Sequence, residues 1–286
     1  ISKKMKTLPS SLTNVPIQSL IAPGKCQFTA DFQSVPLVER IKVSETSYVL
    51  RFGLPDTSKP LNLSTCACIL AKADIPNAKK DGEIEAVIRP YTPISTNADV
   101  GYFDLLIKDY GPEHGYMTNY LCETLKVGDT VDFKHIEFNV KIQAPFDQTQ
   151  IGMLVGGTGI TPMLQALHAI LGGEEKTNKV SMLYGSKESS DILGKDLLDQ
   201  WCESNSDNLS VTHVLSHEPE DSKWSGDRGF INEALIKANM PPPSAGKDAI
   251  IFVCGPPPMY NALCGPRQDK ELGGLLKEMG YEASQV

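Results

Sequence analysis

The stretch from Ile151 to Met163, Ile-Gly-Met-Leu-Val-Gly-Gly-Thr-Gly-Ile-Thr-Pro-Met, places an apolar strand directly before a glycine-rich turn. Pro162 falls in what would be the first turn of a helix, a position that suits its fixed φ and its missing N–H. Glycines let the backbone approach a pyrophosphate, and the N–H groups at a helix start attract its charge. The stretch therefore predicts a strand–turn–helix unit that binds a dinucleotide. A tight turn without any ligand is the alternative.

Strand-like apolar runs alternate with helical patterns from this turn to the end of the chain. The pairs are Ile151–Val155 with Thr161–Leu171, Val180–Tyr184 with Ser190–Trp201, Leu209–Leu215 with Ile231–Ala238, and Ala249–Cys254 with Met259–Leu263, before a last helix at Lys270–Met279. Such a βαβ rhythm predicts an α/β domain with a parallel sheet over residues 146–286.

The preceding residues 34–145 have the pattern of an all-β domain. Short runs rich in Val, Ile, Tyr and Phe occur at Leu37–Val43, Ser47–Phe52, Cys66–Leu70, Glu83–Tyr91, Tyr102–Ile107 and Thr130–Phe133. Turn signals separate them, which predicts a closed barrel or a sandwich, with one helix at Met117–Leu125. Residues 1–33 lack periodicity and are predicted to be an extended arm or a disordered lead. A chain of 286 residues also favours two domains.

Composition excludes several classes of function. The net charge of -8 argues against nucleic-acid binding, because no strongly basic stripe is available to neutralise phosphates. The seven cysteines are scattered, which favours reduced thiols and predicts no metal site. No apolar run reaches the ~18 residues that span a bilayer. The chain begins at Ile1, so a membrane anchor or targeting segment outside it would leave no trace here.

A second motif, Val-Cys-Gly-Pro-Pro-Pro-Met at 253–259, follows a buried-looking strand. A cysteine at the carboxyl end of a parallel strand lies where such sheets bind ligands. Alone, a cysteine of this kind is more often part of the core. Together with the glycine-rich turn, it favours a binding site.

The third motif is Arg-Pro-Tyr-Thr-Pro-Ile-Ser at 89–95, at the end of a β run. Its arginine offers a planar fork that suits a diphosphate, its tyrosine an aromatic face, and Thr92 and Ser95 offer hydroxyls. A proline-bent strand end with solvated polar residues is the alternative interpretation.

In this order and spacing, the three motifs resemble those of the ferredoxin–NADP reductase superfamily, and most closely its cytochrome b5 reductase branch. The likeness extends from about residue 34 to the C-terminus. Ser64–Ile69 and the tail up to Tyr281 look most like mitochondrial-type reductases of plants and algae. The resemblance implies an N-terminal antiparallel β-barrel domain for FAD and a Rossmann-like α/β domain for NADH. It further implies cytochrome b5 as electron acceptor, a monomer, and association with mitochondrial or endoplasmic-reticulum membranes.

Specific roles in FAD binding also follow from the resemblance. Arg89 would bind the pyrophosphate, Tyr91 would lie against the isoalloxazine, and Thr92, a catalytic residue, would reach flavin N5. The implied FAD-binding residues are Arg89, Pro90, Tyr91, Thr92, Ser95, Leu106, Lys108, Gly115, Tyr116, Met117, Thr118 and Thr161.

For the nicotinamide dinucleotide, the resemblance makes Cys254 the second catalytic residue, near nicotinamide C4, while Thr161 would touch both flavin and nicotinamide. The other implied residues are Gly156, Thr158, Gly159, Asp191, Gly255, Pro256 and Met259. The acidic Asp191 and Glu188 favour a ribose 2′-OH and therefore NADH. The alternative is NADPH, since Lys187 and Ser186 are suited to bind its 2′-phosphate.

Three departures from the family pattern stand out. Tyr116 replaces a frequent lysine, residues 134–138 replace a Lys-Gly-Pro stretch, and the chain ends at Val286, before the usual terminal aromatic residue. Two rival functions also remain open. One is a reductase domain for another acceptor, of the nitrate, ferric or quinone type, and the other is a non-catalytic flavin-binding module.

Overall fold

The computed structural model describes residues 9–77, 82–136, 145–174 and 177–286. The chain divides into two compact units, the first ending at Ala144 and the second beginning at Pro145. The predicted loop at 134–138 is described only as far as Ile136.

The first unit is a curled antiparallel sheet. Its strands are β1 Gln33–Lys42, β2 Ser47–Gly53, β3 Ile69–Asn77, β4 Glu83–Tyr91, β5 Tyr102–Lys108 and β6 Thr130–His135, in the order β4-β3-β6-β1-β2-β5. The two edges approach each other just beyond β4, where the Ile94 N–H donates to the Asp104 carbonyl over 2.9 Å. Four phenylalanine rings (Phe28, Phe52, Phe103 and Phe133) pack inside the curl. The predicted antiparallel β domain is thus confirmed.

In the first unit, one strand differs from its prediction, and the structure decides between the two alternatives for the N-terminal residues. The strand predicted at 66–70 begins instead at Ile69, because Cys66 has φ +62 and cannot continue an extended chain. Residues 9–32 form an ordered arm rather than a disordered lead. The backbone N–H of Gln27 donates to the Leu61 carbonyl over 2.9 Å, and the Ser11 hydroxyl donates to the buried Asp104 carboxylate over 2.7 Å.

The helix predicted at 117–125 is present as a continuous helical segment, α2 Tyr116–Asn119 followed directly by a wider π-type turn at Tyr120–Thr124. A separate short helix, α1 Gly111–His114, precedes it. The guanidinium of Arg40 on β1 donates to the carbonyls of Leu121 and Leu125, which satisfies carbonyls at the end of the last turn.

The second unit is a parallel sheet with intervening helices, as predicted. In chain order its elements are β7 Gln150–Gly156, α3 Ile160–Leu171, β8 Lys179–Ser186, α4 Lys195–Ser204, β9 Leu209–Leu215, β10 Asp227–Arg228, α5 Glu233–Asn239, β11 Ala249–Cys254, α6 Pro257–Cys264 and α7 Gly274–Glu278. The strand order is β10-β9-β8-β7-β11. The chain therefore moves outward from β7 and then returns to its other side as β11. This reversal makes the carboxyl ends of β7 and β11 a topological switch point, where open parallel sheets bind ligands.

Two helices of the second unit begin four or more residues later than predicted, and the last of them begins at Gly274 instead of Lys270. Residues 189–191 form a single 3-10 turn, and α4 begins only at Lys195. Gly194, directly before α4, has φ +69, a left-handed conformation that interrupts any helix from Ser190. Within the described residues, no helix is long and apolar enough to cross a membrane.

Candidate functional site

In the first unit, the end of β4 carries the Arg-Pro-Tyr-Thr motif. Arg89 and Pro90 are exposed, whereas Tyr91 and Thr92 are half-buried. Burial raises the pKa of the Tyr91 phenol, and the nearby Arg89 guanidinium acts in the opposite direction. Arg89 and Tyr91 are two positions apart on β4, so their side chains are on the same face of the strand and suit a ligand that combines a negative charge with a flat surface.

The junction between α1 and α2 forms a tight cradle. A Cβ on Gly115 would lie 2.4 Å from the Thr118 Oγ1 and 2.7 Å from the Tyr110 Cβ, so only glycine fits there. The Thr118 hydroxyl donates to the Gly115 carbonyl over 3.0 Å. The Asp109 carboxylate accepts from the Gly111 N–H over 2.8 Å and from the Asn119 amide over 3.1 Å, which ties the two short helices together.

This cradle lies beside the strand-end motif, because α2 packs against β4. Tyr116 is turned toward the sheet, where its hydroxyl donates to the Ile75 carbonyl over 3.2 Å. Met117 and Leu106 are buried, and Lys108 is half-buried on β5. A guanidinium, an aromatic face and a backbone cradle at a helix start fit a diphosphate joined to a flat ring, as in FAD.

Ser95 has a different environment from its neighbours in the motif. Its side chain is buried, and its hydroxyl accepts from the Asp104 backbone N–H over 2.9 Å. Together with the bond from Ile94 to the Asp104 carbonyl, this contact holds the segment after β4 against β5. Ser95 thus positions the strand end that carries Arg89 and Tyr91.

In the second unit, the glycine-rich turn and the cysteine motif meet at the switch point. A Cβ on Gly159 would lie 2.2 Å from the Cys254 carbonyl oxygen, and one on Gly156 would lie 2.5 Å from the Met259 sulfur. Gly255 is equally confined, 2.7 Å from the same sulfur. The glycines are therefore required for the close approach of two segments that are far apart in sequence, and the sequence predicted both segments as ligand-binding.

Hydrogen bonds to its carbonyl groups hold the glycine-rich turn. Gly157 has φ +52, and its carbonyl accepts from the Ile160 N–H at the start of α3. The buried Thr161 donates its hydroxyl to the Thr158 carbonyl over 3.2 Å, and the Tyr184 hydroxyl donates to the Gly157 carbonyl over 3.0 Å. Sequence reasoning missed Tyr184, because an apolar strand position gives no sign of what a phenol will reach.

The carboxyl ends of β8 and β9 carry polar and acidic groups. Asp191 is half-buried in the 3-10 turn after β8. The Glu218 carboxylate accepts from the Ser189 N–H over 2.6 Å and from the Ser189 hydroxyl over 3.0 Å. Hydrogen bonding by that N–H lowers the pKa of Glu218. Sequence reasoning also missed Glu218, which lies in a different loop. Ser186 is buried, and its hydroxyl has no hydrogen-bond partner within the described part of the chain.

Metal chemistry has no support in the described residues, which contain no group of three or more His, Cys, Asp or Glu side chains suited to a metal ion. None of the seven cysteines is in a disulfide.

Comparison with known proteins assigns each unit to a family. The family "Oxidoreductase FAD-binding domain" matches residues 34–142, and "Oxidoreductase NAD-binding domain" matches residues 153–265. These matches confirm the predicted FAD and NAD cofactors.

Relatives are similar over most of the chain. NADH-cytochrome b5 reductase 1 of Scheffersomyces stipitis is 39% identical over 232 residues, which cover 81% of this chain and 76% of that protein. NADH-cytochrome b5 reductase 2 of Neurospora crassa is 36% identical, covering 88% and 71%.

Among solved structures, the cytochrome b5 reductase domain of Ulva prolifera nitrate reductase has a TM-score of 0.75 and 29% identity, covering 92% of this chain and 97% of that one. The two relatives named above are fungal and this structure is algal, so special closeness to plant and algal forms stays a prediction. Both halves of the chain and the relatives at 35–39% identity agree: the chain belongs to the NADH-cytochrome b5 reductase family.

Proposed function

We propose that the chain is an FAD-dependent enzyme that takes a hydride from NADH and passes single electrons to cytochrome b5. The observation that supports this best is the meeting of the glycine-rich turn with the Cys254 motif at the switch point of a parallel sheet. FAD supplies the chemistry, since it accepts a hydride and releases electrons one at a time. The residues of the chain bind and orient the two cofactors.

In this proposal the first unit holds FAD. The Arg89 guanidinium and the cradle from Gly115 to Thr118 bind the diphosphate, and the Tyr91 ring lies against the isoalloxazine. Pro90, Thr92, Leu106 and Lys108 line the flavin, with the Thr92 hydroxyl at its reactive edge. Exposure of Arg89, the Gly115 cradle and the packing of α2 on β4 support this arrangement.

The second unit holds NADH at the carboxyl edge of its sheet. Gly156, Thr158 and Gly159 contact the pyrophosphate, and Asp191 faces the adenosine ribose. Cys254, Gly255, Pro256 and Met259 form the wall against which the nicotinamide is aimed, and Thr161 reaches the nicotinamide and the flavin. The proposed domain limits are 34–145 for FAD and 146–286 for NADH, after an arm at 1–33. Action as a monomer and anchoring to a mitochondrial or endoplasmic-reticulum membrane stay predictions.

Asp191→Thr should narrow the preference for NADH over NADPH. The carboxylate accepts a bond from a ribose 2′-OH but repels a 2′-phosphate, and its removal should reduce the ratio of the two kcat/KM values about tenfold, or ~1.4 kcal/mol. The measurement is steady-state reduction of ferricyanide with each nucleotide. Glu203→Gln is the matched control, since it removes an equal charge from an exposed position on α4 of the same unit. A wild-type preference for NADPH, or an unchanged ratio in Asp191→Thr, would contradict the assignment.

The proposed acceptor can be tested by a salt series. NADH should first reduce the flavin in a stopped-flow mixing step, and oxidised cytochrome b5 is then added. If cytochrome b5 docks near Lys108 and the other basic residues of the first unit, the rate at which it is reduced should fall as ionic strength rises. Salt screens the attraction to an acidic partner. The effect should be modest, since the net charge of the chain is -8 and Tyr116 carries no charge. Ferricyanide is the small-acceptor control.

A rate that rises steadily with salt would mean that repulsion dominates and that docking is not electrostatic. The match to the nitrate reductase domain of Ulva prolifera favours a second candidate, a reductase domain for another acceptor. Ferricyanide turnover without any reduction of cytochrome b5 would favour that candidate. Absence of flavin bleaching by NADH would instead favour a non-catalytic flavin-binding module.

A further inference from the structure

Tyr184 is a buried tyrosine whose hydroxyl reaches into the glycine-rich turn. It lies on β8 directly opposite Val155 of β7, and its side chain is 0% exposed. Its phenol donates to the carbonyl of Gly157 over 3.0 Å. Because phenylalanine would fill nearly the same volume, the hydroxyl adds little to packing, and its bond to the glycine-rich turn is what phenylalanine would lose there.

The bond determines the direction of a backbone donor. In a trans peptide the C=O and the following N–H lie in one plane and point in opposite directions. Holding the Gly157 carbonyl toward Tyr184 therefore turns the Thr158 N–H away from β8. The Thr161 hydroxyl holds the next carbonyl of the turn, that of Thr158, over 3.2 Å.

Side-chain packing gives the turn little support at this residue. Gly157 has φ +52, and a Cβ placed on it would meet no atom within 4 Å. On its open side the peptide is thus oriented by hydrogen bonds to its carbonyl, from the Ile160 N–H and from Tyr184. Without the bond from Tyr184, the peptide rotates more freely. Ligand binding must then order it, and the conformational entropy lost in doing so weakens the binding.

We infer that Tyr184 is a positioning residue for the pyrophosphate of the dinucleotide. Tyr184 acts through the backbone carbonyl of Gly157, which is part of the glycine-rich turn. By holding that carbonyl, it orients the Thr158 N–H as a donor to the pyrophosphate. The inference rests on the proposed function, in which this turn binds NADH.

The test compares two tyrosines that make the same kind of bond. Tyr184→Phe removes the hydroxyl from the glycine-rich turn. Tyr281→Phe is the matched control, because its phenol is also buried in the second unit and donates to a backbone carbonyl, that of Pro241, over 2.6 Å. Binding of NAD+ and of ADP-ribose to the oxidised holoenzyme is measured by calorimetry, and the thermal unfolding of both variants is recorded.

Tyr184→Phe should weaken NAD+ and ADP-ribose equally, by about 5- to 10-fold in Kd, the size expected for one hydrogen bond. Tyr281→Phe should lower the unfolding temperature about as much as Tyr184→Phe does, but it should leave both Kd values unchanged. In flavin reduction, Tyr184→Phe should raise the NADH concentration needed for half-maximal rate and leave the limiting rate within about twofold, since binding is weakened equally in the ground state and the transition state.

Unchanged Kd values in Tyr184→Phe would overturn the inference and leave the proposed function standing. An equal loss of affinity in Tyr281→Phe would also overturn it, since general loosening of the unit would then explain the effect. Weakening of NAD+ without weakening of ADP-ribose would place the action at the nicotinamide and overturn it too. A wild-type protein that binds neither ligand would overturn the inference and the proposed function together.

Discussion

Cys254→Ser is expected to slow the reduction of the flavin by NADH about 100-fold while FAD stays bound. Cys254 ends β11, and its carbonyl oxygen lies so near Gly159 that a Cβ added to that glycine would be 2.2 Å from it. Serine is smaller and more strongly hydrated than cysteine, so the wall that aims the nicotinamide should shift slightly. Misplacing a reacting ring by about 1 Å can cost on the order of 100-fold in rate. The measurement is stopped-flow bleaching of the flavin at saturating NADH.

The matched control for this prediction is Cys202→Ser. Cys202 lies on α4 of the same unit and is half-buried. The same change there should leave the reduction rate within about twofold, as is usual for substitutions away from reacting groups. Loss of FAD from Cys254→Ser would show a structural role instead, and equal slowing in both variants would mean that the effect is not specific to the nicotinamide wall.

Arg89→Ala is expected to weaken FAD binding by about 10- to 100-fold. A charge-assisted hydrogen bond contributes ~1.5–3 kcal/mol, and the guanidinium can make two such bonds to one diphosphate. Arg89→Lys should recover only part of the affinity, since an ammonium keeps the charge but loses the fork. The Kd is measured from the quenching of flavin fluorescence on titration of the apoprotein.

Lys126→Ala is the control for charge alone, because Lys126 is an exposed cation of the same unit. It should leave the Kd for FAD unchanged, and circular dichroism should show the same fold in all three variants. Full affinity in Arg89→Ala, or FMN as the cofactor extracted from the wild type, would contradict the assignment of Arg89 to the diphosphate.

The sequence alone determined the features that depend on a few neighbouring residues, namely the type and order of most strands and helices. The alternation of apolar runs and helical periods predicted a parallel sheet after an antiparallel one, and the family comparisons agree. The exceptions lie at element ends. The late starts of β3 and α4 follow from left-handed conformations at Cys66 and Gly194, and a single residue identity does not reveal its φ.

Only the tertiary structure decided which distant groups meet. The motifs at 156–159 and 254–259 come together because β11 inserts beside β7, a pairing made by the whole sheet. In the same way, Glu218 reaches Ser189 because β8 and β9 end side by side, and the Ser95 hydroxyl accepts a bond from β5 because that strand passes beside the segment after β4. In the sequence, Tyr184 occupies an ordinary position in an apolar strand. Its hydroxyl reaches the Gly157 carbonyl because β7 and β8 pair in one particular register. A buried hydroxyl bonds to whatever acceptor the fold brings within ~3 Å, and that choice is made by strand pairing rather than by local sequence.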